Sequence, residues 1–453
     1  MAPGGDPVKK RIILTLVPFL FALVASAEDG ARAPGDQEKL KARAFSAERL
    51  HERRRALARA LGKNALVVLS SGKDTESDAL QHRANRDFMY LTGIEDPGCS
   101  VIIDGESEVV YAPQRNARAE IWTGVHVYAS EETATRFGFT AAKKTDAFKK
   151  DLAAARERAE KIFQAGFRKE ELQDVFGTKD VESAATAIGR LRQVKDDDEL
   201  ALMKRAAEIS AVAHIYCTKA IAPDRFEYEV QGLFEGCCRF YGCEAQGYPS
   251  IVGSGPNSCI LHYDKNRRQM KSGDMLVLDA AGECGGYSAD VTRTFPISGK
   301  FTDEQRKVYN AVLRAQDAGI EMCRPGVTVR EVGEASRAVL KEEGYLEYLP
   351  HGVSHWLGLD VHDAGDYSLP LAPGMVLTVE PGIYIAAKEL GCRIEDDILV
   401  TEDGPVNLSG YAPRKAEEIE ALLAKAKAGK LELPPLPDTP AIKLGKKHKG
   451  RLY

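Results

Sequence analysis

MLVLDAAGECGGYSADVTRTFPISG, residues 275–299, decides the fold. It reads as two apolar strands around a turn, each carrying one aspartate: Asp279 in MLVLDAAG and Asp290 in YSADVTRTF. With Cys284-Gly285 as a two-residue loop, antiparallel pairing puts Asp279 directly opposite Asp290. A turn centred one residue away leaves them diagonal neighbours on the same face. Two carboxylates that close repel each other unless something compensates, and a cation does so. The bland alternative turns one aspartate to water at a strand end. Apolar neighbours on both strands weigh against it.

Working outward, two more apolar segments carry acids: MVLTVEPGIYI (375–385) with Glu380, and CRIEDDILVT (392–401) with Glu395. A carboxylate inside an apolar strand is unfavourable unless paired. HGVSHWLGLDVHD (351–363) gathers His351, His355 and His362 out of nine histidines in the chain. One of them can give a nitrogen ligand while the others stay free as proton or hydrogen-bond donors; spacing does not say which. Four carboxylates and one imidazole suit two divalent ions of intermediate hardness, such as Mn²⁺, Fe²⁺, Co²⁺ or Zn²⁺. Two such ions about 3.5–4 Å apart can bridge a hydroxide and stabilise a tetrahedral intermediate.

The rest of the 453-residue chain frames this centre. A net charge of −5 gives no basic field for nucleic acid. Residues 1–27 read as a secretory signal peptide: Lys9-Lys10-Arg11, an apolar run from Ile12 to Val24, then Ala25-Ser26-Ala27. The run is short for a membrane span and Pro18 interrupts it. The reading implies export to a periplasmic or secreted location, cleavage near Ala27, and no stable membrane span afterwards. Nine cysteines, an odd number, show no disulfide framework and read as buried thiols; a bridge or a zinc set at Cys237, Cys238 and Cys243 is the alternative.

Residues 28–44 are polar and small and read as mobile. From 45 to 185 the pattern is that of an α/β domain, with a helix capped by Ser46 and strands in ALVVLSSG (65–72), SVIIDG (100–105) and EVVYAP (108–113). A second domain spans 191–425. It opens on Asp196-Asp197-Asp198 and a long amphipathic helix containing His214, read as a packed or surface residue. A second helix is expected near 226–241. Residues 426–453 form a Pro/Lys-rich tail, with Lys443, Lys446, Lys447, Lys449 and Arg451.

These motifs resemble the pita-bread metallopeptidases over residues 191–424. The carriers are Asp279 and Asp290, HGVSHWLGLDVHD, VLTVEPGIY and CRIEDDILVT. NRDFMYLTGIEDPG (85–98) and AEIWTGVHV (119–127) are similar to N-domain segments of the aminopeptidase P branch. The resemblance implies a pita-bread catalytic domain behind a smaller creatinase-like α/β domain, with two divalent metal ions, Mn²⁺ foremost. It assigns the metal ligands to Asp279, Asp290, His355, Glu380 and Glu395. His262 (in SCILHYDKN), His362 and Glu380 take catalytic roles, with Glu380 as general base. His351 and Trp122 contact substrate, Trp122 from a neighbouring subunit, which implies a homodimer or tetramer. Tyr384 and Arg393 hold Asp279. The implied activity removes the N-terminal residue of peptides whose second residue is proline. Prolidase, which cleaves Xaa-Pro dipeptides, is the alternative on the same fold, and a metal-free binding or creatinase-like protein is a more distant one.

Overall fold

The computed structural model describes residues 35–72, 84–105, 107–176, 180–437, 442 and 444. The segment read as a signal peptide and the basic residues of the tail lie outside them. Among the described residues no helix is long and apolar enough to cross a membrane.

The N-terminal domain is built on a six-stranded mixed sheet. Its order is Ala141–Lys144, Ser107–Ala112, Ser100–Asp104, Ala65–Ser70, Lys161–Ala165, Val181–Ser183. The three middle strands of the 65–112 run pair antiparallel, and the outer pairings are parallel. Continuous Val/Ile/Leu runs suit strands covered on both faces, and Leu66 to Leu69 are fully buried. Ser46 caps the helix Ala47–Leu61 by accepting from the Arg49 N–H. The residues read as mobile before it are partly ordered. Gly35–Ala44 is a helix, tied by Lys41 to Glu95 (3.0 Å) and by Arg43 to Asp198 (3.0 Å). Its apolar content is low: Ala44 is buried and Leu40 packs on the core, and the polar contacts add to these.

The C-terminal half is α+β. Its strands form small antiparallel sheets: Ile251–Ser254, Met275–Asp279 and Thr292–Pro296 in one, Val376–Val379, Asp396–Thr401 and Gly404–Asn407 in another. Helix pairs Asp197–Cys217 with Glu227–Phe240, and Asp303–Glu321 with Val329–Glu342, pack around them. Asp196 caps the first helix and Glu199 returns the bond to its N–H, a full capping box. That helix is not amphipathic as expected: buried residues lie on nearly every face, because the helices Glu227–Phe240 and Gly35–Ala44 pack on it as well as the strands of the hairpin.

The decisive hairpin is shifted by one residue from the first pairing considered. Its turn is Gly285-Gly286, with Cys284 opposite Tyr287 and Asp279 opposite Thr292. Both central residues have positive φ, 59° and 84°. A two-residue hairpin turn of that kind wants glycine at both positions, which Cys284 could not supply. Asp290 is therefore the diagonal neighbour of Asp279. The segments expected as single strands at 287–295, 375–385 and 392–401 are each broken in two, and the breaks fall at Asp290, Glu380 and Glu395.

Candidate active site

Those breaks build the site. A side chain inside a regular strand must project straight up or down from the sheet. Asp290, Glu380 and Glu395 leave the ladder and turn toward one cavity, while Asp279 closes its strand beside them. Their backbones remain bonded: the Glu380 N–H donates to the Val353 carbonyl (2.8 Å) and the Glu395 N–H to that of Thr292 (3.1 Å). The cavity holds about 830 Å³ and is lined by all four carboxylates together with His262, His351, His355, His362 and Arg393.

One oxygen of Asp290, one of Glu395 and a ring nitrogen of His355 lie within 4.8 Å of one another. Glu380 joins through His355 Nε2, at 3.6 Å. Asp279 joins through Tyr248, whose hydroxyl lies 2.5 Å from Asp279 Oδ1 and 2.6 Å from Asp290 Oδ1. His355 Nδ1–H donates to the Trp356 carbonyl at 3.0 Å, so Nε2 faces Asp290 at 3.5 Å. That is the ring orientation a metal-ligating histidine takes.

The electrostatics fit cations. Burial, with Asp290 and Asp279 adding to it against the pull of His355, raises the Glu380 carboxyl to about 7. Burial and the other three carboxylates push Glu395 well above its ordinary range. Asp279 is raised by burial, with Arg393 opposing. Burial disfavours charge on His355, yet the Asp290 hydrogen bond and its neighbours' charges outweigh it and lift the imidazole to about 9. Clustered acids that hold protons this strongly are short of positive charge. The donor set, hard oxygens with one imidazole, fits divalent ions of intermediate hardness.

Around this set the partners are specific. Arg393 donates from Nη2 to Asp279 Oδ2 (2.6 Å) and from Nη1 to the Tyr384 hydroxyl (2.6 Å). That hydroxyl donates to His351 Nε2 at 3.0 Å, and His351 Nδ1–H donates to the Gly352 carbonyl at 2.6 Å. Burial, with Arg393 and Arg337 nearby, lowers His351 to about 4, so its ring is neutral. His362 stacks on His355 with centroids 4.1 Å apart. His262 and His362 stand exposed on the cavity wall.

Trp122 is not in this pocket. It sits on the helix Ala117–Thr123 of the N-terminal domain, 85% exposed, beside exposed Ile121 and Val125.

Sequence reasoning missed three contributors. Tyr248 sits in Gly-Tyr-Pro, which looks like a turn. Thr292 donates to Glu395 Oε2 (2.7 Å), and Asp397 accepts the Asp290 N–H (3.1 Å). His214, read as packed or surface, is buried with Nε2 bonded to the carbonyls of Ala280 (3.1 Å) and Val291 (3.0 Å). It ties together the backbones one residue beyond Asp279 and Asp290. The cysteines are free thiols, all buried except half-buried Cys259; Cys243 and Cys284 touch at 3.3 Å.

Residues 201–402 match metallopeptidase family M24, and residues 50–163 match the aminopeptidase P N-terminal domain. The Xaa-Pro aminopeptidase of Escherichia coli K12 is 33% identical over 437 residues, 84% of this chain and 99% of that protein. Xaa-Pro aminopeptidase 3 of Homo sapiens is 30% identical over 414 residues, 80% of this chain and 81% of the relative. Among solved structures, aminopeptidase PepP of Pseudomonas aeruginosa superposes with a TM-score of 0.80 at 30% identity, covering 84% and 99% of the two chains. E. coli aminopeptidase P with the inhibitor Pro-Leu gives 0.77 at 32%, with the same coverage. By its site, its two domains and these likenesses, the chain belongs to metallopeptidase family M24 and is an enzyme of its Xaa-Pro aminopeptidase group.

Proposed function

We propose that this enzyme releases the N-terminal residue of peptides with proline second, using two divalent ions held by Asp279, Asp290, His355, Glu380 and Glu395. The observation that carries the reading is the convergence of these five side chains, from segments far apart in the chain, on one cavity walled by three further histidines. When bound, such ions supply Lewis-acid polarisation of the scissile carbonyl and a water acidic enough to attack at neutral pH. Mn²⁺ is the ion we favour; the donor set also admits Co²⁺, Fe²⁺ and Zn²⁺. A Zn-substituted E. coli aminopeptidase P with product is among the structural neighbours.

The chain's own residues do the rest. Glu380, which lines the cavity 3.6 Å from His355 Nε2, is the carboxylate that would take the proton of the attacking water. His262 and His362 donate hydrogen bonds to the peptide from the cavity wall. Tyr384 and Arg393 fix Asp279, and neutral His351 lines the floor. An Xaa-Pro bond has no N–H to grip. A site that works on the carbonyl needs none, which suits proline where ordinary peptidases fail.

The test uses the chain from Glu28, stripped with chelator and given Mn²⁺, with Gly-Pro offered beside an Xaa-Pro-Yaa tripeptide. Metal-dependent release from the tripeptide, with little from the dipeptide, is expected. Cleavage of the dipeptide alone would establish a prolidase instead. We further propose export directed by residues 1–27. N-terminal sequencing of protein recovered outside the cytoplasm should begin at Glu28, and an intact Met1 there would refute cleavage.

A further inference from the structure

Three segments meet beside the pocket. The first is NRDFMYLTG (85–93) of the N-terminal domain, the second LRQVK (191–195) at the start of the second domain, the third LDVHD (359–363) at the end of the histidine-rich loop. Arg192 donates from Nη1 to Asp87 Oδ1 (2.8 Å) and from Nη2 to Asp360 Oδ2 (2.7 Å) and Asp363 Oδ1. Lys195 holds the other oxygen of Asp363 at 3.2 Å, with both side chains 1% exposed. Arg86 bonds Glu283 at the hairpin tip (2.7 Å) and faces Asp360 at 3.7 Å. His362 lies between the two braced aspartates and stacks on His355.

We propose that Arg192, completed by Asp87 of the N-terminal domain, is a positioning residue that sets His362 for the reaction. The inference rests on the role given to His362 above. Asp360 and Asp363 flank that histidine on both sides, so their anchorage fixes its backbone. Arg192 is nearly fully buried, and its fork geometry binds three carboxylates at once. Without it, Asp87, Asp360 and Asp363 would face one another with only Lys195 and Arg86 to neutralise them. The loop would then move outward and His362 with it. The N-terminal domain thus completes the catalytic wall with two side chains from a motif that does not itself touch the metal centre.

The test is a double-substitution cycle on the full-length, metal-loaded enzyme with an Xaa-Pro-Yaa tripeptide. Arg192→Lys and Asp87→Asn should each lower kcat between about 10- and 100-fold, the effect of small misplacement of a reacting group, with KM little changed. On a His362→Ala background neither should lower kcat further, because the group they position is gone. Losses that multiply with His362→Ala, or a change confined to KM, would overturn the inference. If His362→Ala alone kept full kcat, the role of His362 would fail, and the brace with it. Thermal melting and metal content accompany each variant. Asp87→Asn is isosteric and partly exposed, so it reports even where Arg192→Lys folds poorly.

Discussion

Single side chains set both the chemistry and its pH limits. Asp290→Ala or Glu380→Ala should abolish turnover in Mn²⁺-supplemented buffer while the near-UV circular dichroism stays native. Normal turnover in either would end the two-ion proposal. Tyr248→Phe removes the hydroxyl shared by two aspartates and should weaken metal binding or activity about 10- to 100-fold, measured by metal titration and kcat/KM. Burial holds His214 neutral, lowering it from 6.5 to about 3, and its Nδ1 has no partner to receive a proton. The unfolded chain takes up that proton first. Its contribution to stability is therefore complete above pH 6.5 and is lost as pH falls from there toward 3. His214→Gln, which keeps an N–H donor and cannot be protonated, should show a shallower fall in Tm over this range; identical slopes would refute the assignment. The acids of the site were legible because a carboxylate within an apolar run needs a reason. Tyr248 was not, because a tyrosine between glycine and proline is ordinary turn chemistry. Nor could spacing alone choose among the three histidines.

At the level of elements, the strands were readable as apolar runs but their interruptions were not. Val376–Val379 and Gly382–Ile385 belong to different sheets, yet the sequence between them carries no break in hydrophobicity beyond Glu380-Pro381. Tertiary pairing decides where each ladder stops. The hairpin was legible as a turn, but its centre was read one residue early, at Cys284-Gly285 rather than at the Gly285-Gly286 pair that the left-handed backbone requires. Gly285→Ala and Gly286→Ala should each destabilise the protein by about 1–2 kcal/mol, the strain of a left-handed non-glycine residue. Added methyl groups would also press on Leu202 at 2.7 Å and Met89 at 2.5 Å respectively. Denaturant midpoints check this; unchanged midpoints would mean that the turn relaxes freely. The helix Asp197–Cys217 was legible in position through its cap, but not in burial, because a single chain pattern does not reveal that two other helices, Glu227–Phe240 and Gly35–Ala44, pack on it besides the hairpin.

For the whole molecule, the exposed patch at Ile121, Trp122 and Val125 is apolar area turned to solvent, uncovered by any other described residues. We expect sedimentation to show a dimer or tetramer and Trp122→Ala to weaken both assembly and activity; an active monomer would remove Trp122 from the substrate site. The helix Gly35–Ala44 has a different significance, one of timing. Lys41 holds Glu95 of the N-terminal domain, but its other anchors lie far along the chain: Arg43 meets Asp198, and Gln37 meets Tyr241 and Cys284. A ribosome or export channel delivers this helix long before those partners. The sheet of the N-terminal domain can close early, but the first described segment to emerge is among the last to dock. Beyond the tie to Glu95 it waits on completion of the second half, and so works as a latch that fastens fully only when assembly is finished.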